Sequence, residues 1–397
     1  MAVETPVGLE VQAHSSWRVG AVKPVDYEVK CHAGLLQEDD PYFAEALMSS
    51  GGPSPSRRRL VVIDENVDTL YGAKVRAYFR RHDIQATVVV LPVSEPAKTW
   101  DTTDRILEAM DEFKIDRRRE PVVVIGGGVL CDIVGFAASI YRRGTPYVRV
   151  PTTLIGIVDA GVGVKTGVNH RGGKNRIGTY ANPKLSLLDR QFLATIPERH
   201  LANGMAEILK VALVRSRALF DQIDTASRSE LSDVFTQGQY DSLCETLIND
   251  SIHLMLEELQ PNLWEHVLER CVDYGHTLSP TIEMHALPEL LHGEAVCIDM
   301  AVTTGISVHR GLMTREEGVA VLRVMKQLGL PTWNPVLAEQ DLLPEAVRDA
   351  TRHRDGQQRI PLTRGIGNHV FVNDVTDVDL AAGIDFIRTA AAESAVA

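Results

Sequence analysis

The alternation of short β-branched runs with helical patterns in the first half of the chain constrains the fold more than any other feature. Strand-like runs occur at 59–64, 86–91, 121–126 and 147–153, and amphipathic helical segments separate them. This alternation is typical of βαβ units, which build a mostly parallel sheet with helices on its faces. The sequence therefore predicts an N-terminal α/β domain over residues 26–190.

After about residue 190 the strand pattern gives way to helical patterns. Helical spacing predicts helices at 203–214, 240–259, 262–274, 293–311 and 315–328, with only weak strand signals near 359–362 and 368–371. We therefore expect an all-α C-terminal domain over 191–397, an N-terminal extension over 1–25, and a ligand cleft between the two domains. The length of 397 residues agrees with two domains, because one hydrophobic core rarely serves so long a chain.

Charge and cysteine content exclude several classes of partner. The net charge of −12 disfavours nucleic acid and anionic membrane surfaces, because both need a basic face. A few local cations can still hold a small anionic substrate. No apolar run approaches the roughly 20 residues of a membrane span, and the N-terminus lacks the pattern of a signal peptide. The five scattered cysteines indicate free thiols, so we expect a cytoplasmic protein.

Three consecutive glycines follow the predicted strand in "VVVIGGG". Gly126, Gly127 and Gly128 would let the backbone approach a pyrophosphate at the start of the next helix. Asp64 ends an earlier strand, where a carboxylate can bind ribose hydroxyls. The spacing is not GxGxxG, so a tight turn without a ligand is an equal alternative.

The stretch 150–180 is rich in glycine but too apolar for a disordered linker. It contains Asp159, Lys165, Lys174 and Asn175, and such charges need partners if they are buried. Lysine and asparagine together suit an anionic, polyhydroxylated ligand. An exposed, positively charged loop is the alternative.

Three separate segments offer a candidate metal site. Glu207 lies in the predicted helix 203–214, whereas His276 and His292 each stand beside a glycine further along the chain. Two histidines and one carboxylate leave open coordination positions for substrate, as in catalytic zinc sites. Spacing alone is weak evidence for a metal site. Either histidine could be an ordinary hydrogen-bonded core residue, and the nearby His285 and Glu294 could be mistaken for ligands.

Taken together, these stretches resemble the sugar phosphate cyclases, the family of dehydroquinate synthase. The resemblance extends over roughly residues 58–375, in the family's order, and rests on "GGGVLCDIVGFAASIYRRG", "VPTTLIGIVDAGVGVKTGVN", "GGKNRIGTY", "GMAEILK", "GH" and "LHGEAV". It implies a Rossmann-like NAD-binding α/β domain followed by a helical domain that binds zinc or cobalt.

The resemblance also implies roles for individual residues. The metal ligands would be Glu207, His276 and His292. The positions that contact NAD would be Asp64, Glu95, Lys98, Gly127, Gly128, Asp132, Thr152, Thr153, Asp159, Lys165, Lys174 and Thr195. The catalytic residues lining the cleft would be Asp159, Lys165, Lys174, Asn175 and Lys210. Arg143 matches an arginine that a neighbouring subunit donates to the substrate phosphate, which implies a homodimer.

Departures from the dehydroquinate synthase pattern bear on the substrate. Where those enzymes typically read "LNxGHxxGHAxE", this chain reads "VDYGHTLSPTIEM", with Asp273 replacing an asparagine and Pro280 a histidine. An expected arginine is Glu269, with Arg270 one place off, and an expected lysine is Met255. A substrate carboxylate needs such cations, so their loss favours a substrate without one.

The runs "MLEELQPNLWE" and "RHRDGQQRIPL" resemble a branch of the family that cyclises sedoheptulose 7-phosphate for C7-cyclitol natural products. Asp273 and His353 match positions characteristic of that branch, and with Arg143 and Arg270 they would bind the substrate. The resemblance implies transient oxidation by NAD, phosphate elimination, reduction and aldol closure, with Lys165 and Lys210 stabilising oxyanions. A sister cyclase, dehydroquinate synthase, a metal-dependent polyol dehydrogenase and a non-catalytic binding protein are the alternatives.

Overall fold

One parallel sheet organises the first half of the chain. The computed structural model describes residues 8–13, 16–226 and 242–396. The sheet strands are β3 (Glu28–Cys31), β4 (Arg58–Asp64), β5 (Gln85–Leu91), β6 (Val122–Gly126), β7 (Tyr147–Pro151) and β10 (Leu185–Leu188). Their order is β3-β10-β7-β6-β4-β5, and every neighbouring pair is parallel. The predicted α/β domain is confirmed, although the sequence reading missed β3 and β10.

Both faces of this sheet are buried, which explains why its central strands read as continuous apolar runs. Along β4, Leu60 and Val62 pack into one core, whereas Val61 and Ile63 pack into the core on the opposite face. The helices of this half are α1 (Tyr42–Ser49), α2 (Glu65–Arg81), α3 (Trp100–Phe113) and α4 (Gly128–Ile140).

The glycine-rich stretch 150–180 forms a hairpin instead of an exposed loop. A π-helical turn, Gly156–Ala160, precedes β8 (Lys165–His170) and β9 (Gly173–Tyr180), which pair antiparallel with Lys165 opposite Tyr180. Thr166 and Gly167 are buried, and a Cβ on Gly135 of α4 would touch Thr166 at 2.6 Å. The hairpin therefore packs directly on α4.

The second half of the described chain is helical. Its helices are α5 (Glu198–Arg215), α6 (Arg217–Thr225), α7 (Ser242–Leu259), α8 (Ser279–His285), α9 (His292–His309), α10 (Arg315–Gln327), α11 (Leu342–His353) and α12 (Asp377–Val396). The weak strand signals correspond to a hairpin of β11 (Ile360–Thr363) and β12 (His369–Val372), so this half is not strictly all-α. None of the described helices combines the length and the apolar character needed to cross a membrane.

The predicted helix at 262–274 is wrong. This segment contains only the short 3₁₀ turns Gln260–Asn262 and Cys271–Asp273, joined by irregular chain. Glu265 has a φ of +54°, a left-handed conformation that interrupts an α-helix, and the following Cys271, Val272 and Tyr274 are buried in the helical core. This segment is therefore not helical despite its spacing of apolar residues.

Residues before the main sheet form a separate element. Strands β1 (Gly8–Ala13) and β2 (Ser16–Gly20) pair antiparallel as a two-stranded sheet, and β3 enters the main sheet at Glu28. The predicted extension over 1–25 thus contains its own hairpin.

Close approach of α5 and α9 brings two candidate metal ligands together, and Gly293 makes it possible. The Gly293 amide donates to Asn203 Oδ1 at 2.5 Å, and a Cβ on Gly293 would overlap the Asn203 carbonyl.

We expect Gly293→Ala to lower the free energy of unfolding by about 1–3 kcal/mol, because the added methyl group overpacks this contact. Urea denaturation measures the change. Gly163→Ala is the control, because a Cβ there meets only Leu259 Cδ1, at 3.7 Å. An unchanged midpoint for Gly293→Ala would contradict the expectation.

Candidate active site

The three candidate metal ligands lie together where α5, α9 and the loop after Gly275 meet. One ligand atom from each of Glu207, His276 and His292 lies within 4.8 Å of the others. Glu207 Oε1 is 3.4 Å from His292 Nε2 and 3.8 Å from His276 Nε2. Side chains from three distant parts of the sequence therefore converge on a volume that one cation could fill.

Hydrogen bonds orient both imidazole rings toward Glu207. The Nδ1 atom of His276 is 3.1 Å from the Tyr274 carbonyl oxygen, and that of His292 is 2.8 Å from Glu283 Oε2. Partners of this kind normally fix the ring orientation of metal-binding histidines. Each ring thus presents Nε2 to the shared centre.

The environment of Glu207 fits a divalent cation. Its side chain is 0% exposed, and neither carboxylate oxygen accepts a hydrogen bond of ordinary geometry from the described residues. Lys210 Nζ is 2.5 Å from Oε2 and supplies one compensating charge. Burial alone would raise the pKa of Glu207, but Lys210 and His276 outweigh burial and hold it well below its usual value. A buried carboxylate with open acceptor positions beside two imidazole nitrogens is a typical zinc ligand set.

The two histidines differ in their electrostatic surroundings. Burial, reinforced by Lys210, lowers the pKa of His276 to about 3, so this ring is neutral and can bind a metal. Burial and Lys174 would also lower the pKa of His292, but Glu283 and Glu207 outweigh them and raise it to about 9. A cation and a proton therefore compete for His292, because metal binding needs the neutral ring.

A second buried ion pair connects the hairpin to the metal site. Lys174 Nζ lies 2.6 Å from Glu283 Oε2 and 2.8 Å from His292 Nδ1. Glu283 is almost fully buried, so it holds a cleft lysine and a candidate metal ligand at once. Asp159 also lies near this site. Burial raises the pKa of its carboxyl group, although the charge of Lys210 acts to lower it.

A third group of charges surrounds Asp273. Glu265 Oε1 is 2.5 Å from Lys165 Nζ and 2.6 Å from Arg270 Nη1, and Arg270 Nη1 is also 2.8 Å from Asp273 Oδ1. Burial would raise the pKa of Asp273, but Arg270 and Lys165 outweigh burial and lower it. The charge of Arg270 is therefore already satisfied within the protein.

The glycine turn lies where the strand order reverses, between β4 and β6, which is the usual ligand position in an open parallel sheet. Gly127 precedes α4 without a side-chain cap, so the helix N-terminus offers free backbone N–H groups. A Cβ on Gly127 would come within 3.2 Å of Thr153 Cγ2, and one on Gly128 within 3.1 Å of Ala160 Cβ. The Thr152 amide donates to the Gly126 carbonyl at 3.0 Å.

The acidic and basic residues predicted to contact NAD are themselves paired. Lys98 Nζ is 2.6 Å from Asp132 Oδ2, and Glu95 Oε1 accepts a hydrogen bond from Asn169 at 2.8 Å. Burial would lower the pKa of Lys98, but Asp132 and Glu95 outweigh it and raise the pKa. At the end of β4, Asp64 Oδ1 accepts from the amides of the first turn of α2.

Four of the predicted site residues lie outside the charged clusters described above. Thr195 is exposed and contacts Tyr71 through its hydroxyl group at 3.0 Å. The side chain of Asn175 is exposed, and its backbone has a φ of +52°. His353 is 55% exposed and lies 3.7 Å from Asp349 of its own helix. The neighbouring Arg354 is the residue that reaches inward, to Thr277 and to backbone carbonyls.

The fourth such residue is Arg143. It is exposed and follows the C-terminal end of α4, whereas the glycine turn lies at the start of that helix. A helix of 13 residues is about 20 Å long, so Arg143 does not reach the glycine turn of the same chain.

Sequence reasoning missed Glu283, Glu265 and Asn169. Glu283 stands inside the quoted run "VDYGHTLSPTIEM", and Asn169 inside "VPTTLIGIVDAGVGVKTGVN", so both were visible but had no assigned partner. Neither of the two nearby residues that could be mistaken for metal ligands joins the cluster: Glu294 pairs with Arg199, and His285 is exposed.

The fold and the clustered residues define a class: an α/β dinucleotide-type domain joined to a helical domain with a candidate Glu-His-His cation site. Two family models match, 3-dehydroquinate synthase N-terminal over residues 88–203 and 3-dehydroquinate synthase C-terminal over residues 204–351. The chain belongs to the dehydroquinate synthase family of sugar phosphate cyclases.

Three relatives illustrate the similarity. A 2-epi-5-epi-valiolone synthase from Streptomyces albus is 51% identical, covering 96% of this chain and 93% of that protein. The structure of 2-epi-5-epi-valiolone synthase from Streptomyces hygroscopicus subsp. jinggangensis, with NAD⁺ and Zn²⁺ bound, has a TM-score of 0.88 at 50% identity and covers 94% of this chain and 100% of that one. A 2-deoxy-scyllo-inosose synthase with carbaglucose-6-phosphate, NAD⁺ and Co²⁺ shares the fold, with a TM-score of 0.73 at 22% identity, covering 90% of this chain and 95% of that one.

The double contact of Glu283 predicts an effect on metal binding. We expect Glu283→Gln to weaken zinc affinity by about 10–100-fold, because the amide removes the negative charge that orients His292 and compensates Lys174. Competition with a chromophoric chelator measures the affinity. Glu289→Gln, at an exposed position four residues from His285, is the matched control and should bind zinc as the unmodified chain does. Equal affinities for the two variants would contradict the role of Glu283.

Proposed function

We propose that this chain is a cyclase that converts sedoheptulose 7-phosphate into 2-epi-5-epi-valiolone with release of phosphate, using bound NAD and zinc or cobalt. Family membership supplies the reaction class, and the relative from Streptomyces albus, 51% identical over 386 residues, carries this name. The arrangement of Glu207, His276 and His292 supports the metal requirement.

The choice of substrate rests on the ion pairs that Arg270 already forms within the protein. Its guanidinium group lies between Glu265 and Asp273, so it is not free to form the two-pronged contact that a substrate carboxylate prefers. Met255, at the place of an expected lysine, is buried in the helical core. Asp273 would repel a carboxylate but can accept hydrogen bonds from sugar hydroxyls. These features favour a substrate that carries a hydroxymethyl group instead of a carboxylate.

NAD and the cation would be held by different parts of the chain. Asp64, Gly127, Gly128, Thr152 and Thr153 would bind NAD at the carboxyl edge of the sheet, with Lys98, Glu95 and Asp132 in support. When bound, NAD supplies a reversible oxidant for the sugar, and the cation supplies Lewis acidity toward its hydroxyl groups. The net reaction leaves NAD unchanged.

The chain's own charged side chains would handle the developing charges. Lys210, buried and held by Glu207, would stabilise oxyanions, because a cation shielded from water acts strongly on nearby charge. Lys165, whose side chain is 57% exposed, would also contribute positive charge. Lys174 and Asn175 would hold polar groups of the substrate from the hairpin. Asp159, at the buried π-helical turn, would orient the nicotinamide side of the cleft.

Assembly and cellular setting follow from the same proposal. Arg143 would bind the substrate phosphate of a neighbouring subunit, because it lies at the opposite end of α4 from its own glycine turn; this requires a homodimer. The five cysteines are free, which is typical of a reducing compartment and supports a cytoplasmic location. The product would enter C7-cyclitol natural product biosynthesis.

One assay tests the proposed reaction directly. Purified protein is incubated with sedoheptulose 7-phosphate, NAD⁺ and Zn²⁺ or Co²⁺, and released phosphate, NADH absorbance and the NMR spectrum of the product are recorded. We expect stoichiometric phosphate release and a carbocyclic product without NADH accumulation, because the oxidation is reversed within each turnover.

The outcomes separate the alternatives. Steady NADH accumulation would indicate a polyol dehydrogenase, and a different cyclitol in the NMR spectrum would indicate a sister cyclase. Turnover of the seven-carbon acid substrate in preference to the sugar would indicate a dehydroquinate synthase. Glu207→Ala, which removes a metal ligand, should abolish phosphate release, and activity close to that of the unmodified chain would reject the metal site.

A further inference from the structure

Arg149 is a fully buried arginine on the sheet beneath the cleft. It lies on β7, on the same face as Tyr147 and therefore toward α4 and the hairpin. Nη1 donates to the carbonyl oxygens of Ala160 at 3.0 Å and Gly163 at 2.6 Å, and Nη2 lies 3.5 Å from that of Lys165. One side chain thus holds three carbonyls of the segment 160–165.

Tyr147 extends this network to the other strand of the hairpin. Its hydroxyl oxygen accepts from Arg149 Nη2 at 2.7 Å, and the hydroxyl group donates to the Ala181 carbonyl at 2.7 Å. The Ala181 amide in turn donates to the Val164 carbonyl at 2.7 Å. The start of β8 and the end of β9 are therefore fixed by one connected set of hydrogen bonds.

The charge of Arg149 is unusual for so buried a group. Its guanidinium contacts carbonyl and hydroxyl oxygens, and no ion pair joins it to a carboxylate in the described parts of the chain. Its Nε atom has no hydrogen-bond partner among the described residues. A buried charge without a counter-ion costs stability unless hydrogen bonds compensate it, and those of the Arg149 guanidinium group go to Tyr147 and to the segment 160–165.

The segment that Arg149 holds joins two residues of the proposed cleft. Asp159 ends the π-helical turn immediately before Ala160, and Lys165 begins β8. We propose that Arg149 is a positioning residue for the cyclase reaction, which fixes the segment 160–165 and thereby the places of Asp159 and Lys165. This inference rests on the proposed function of the cleft.

A second buried arginine provides a matched comparison. Arg59 is also 0% exposed and also donates to backbone carbonyls, those of Leu47, Ser56 and Arg58. These carbonyls belong to the segment that leads into β4, at the edge of the sheet opposite the glycine turn. Arg59 therefore shares the burial and bonding of Arg149 without contacting the cleft.

The test replaces each arginine by methionine, which fills much of the same volume without donors or charge. We expect Arg149→Met to lower kcat for sedoheptulose 7-phosphate by about 10²-fold, the loss typical of catalytic groups misplaced by about 1 Å. Its zinc content should be unchanged, because Arg149 contacts no metal ligand. Arg59→Met should leave kcat per folded molecule unchanged.

Hydrogen exchange supplies a readout that does not depend on the substrate. Peptides covering 160–181 should exchange faster in Arg149→Met than in the unmodified protein or in Arg59→Met, because the carbonyl contacts that hold this segment are gone. Tyr147→Phe, which removes the hydroxyl group's hydrogen bonds to Arg149 and to the Ala181 carbonyl, should raise exchange at the end of β9 and carries the test if Arg149→Met does not fold.

The two readouts keep this inference separate from the proposed function. If the unmodified protein does not turn over the sugar, the substrate assignment fails, while faster exchange over 160–181 still supports the role of Arg149. Unchanged exchange in both Arg149→Met and Tyr147→Phe would overturn that role, as would a kcat for Arg149→Met equal to that of Arg59→Met.

Discussion

The buried carboxylate of Glu207 is the constraint on which the rest of the site depends. It has no access to solvent, and its oxygens lack ordinary hydrogen bonds from the described residues. Such a group is stable only when positive charge or a cation compensates it. Lys210 supplies part of that charge, and the Nε2 atoms of His276 and His292 face the remaining acceptor positions.

Around that carboxylate, the fold joins two functional features, each of which belongs to a different half of the chain. The parallel sheet brings a glycine turn to the point where its strand order reverses, and the helical half brings the three candidate ligands. The hairpin of β8 and β9 belongs to the first half but extends Lys174 to Glu283 and His292 of the second. The candidate site is therefore built by contacts between the halves, and the position of Lys174 depends on the backbone of the hairpin being held in place.

The sequence predicts much of this arrangement where a local pattern decides it. Strands β4 and β6 are visible because burial on both faces makes them continuous apolar runs, and β5 and β7 are visible from their valines. Glu207, His276 and His292 are found through the family's motifs. The pairing of Lys174 with Glu283 was missed because the two residues are 109 positions apart, a separation that no local pattern reports. The helix predicted at 262–274 is wrong because Glu265 adopts a left-handed conformation, which the spacing of apolar residues does not report. Asp159 and Lys165 were recognised as functional, whereas Arg149, which holds their segment, looks in sequence like an ordinary strand residue.

The central claim is that one divalent cation binds between Glu207, His276 and His292. The most direct test is a crystal grown with zinc and NAD⁺, with anomalous diffraction recorded at the zinc edge. The account predicts a strong anomalous peak about 2.0–2.1 Å from both Nε2 atoms and from a Glu207 oxygen. A peak bound by other side chains, or no peak among these three at full zinc loading, would contradict it.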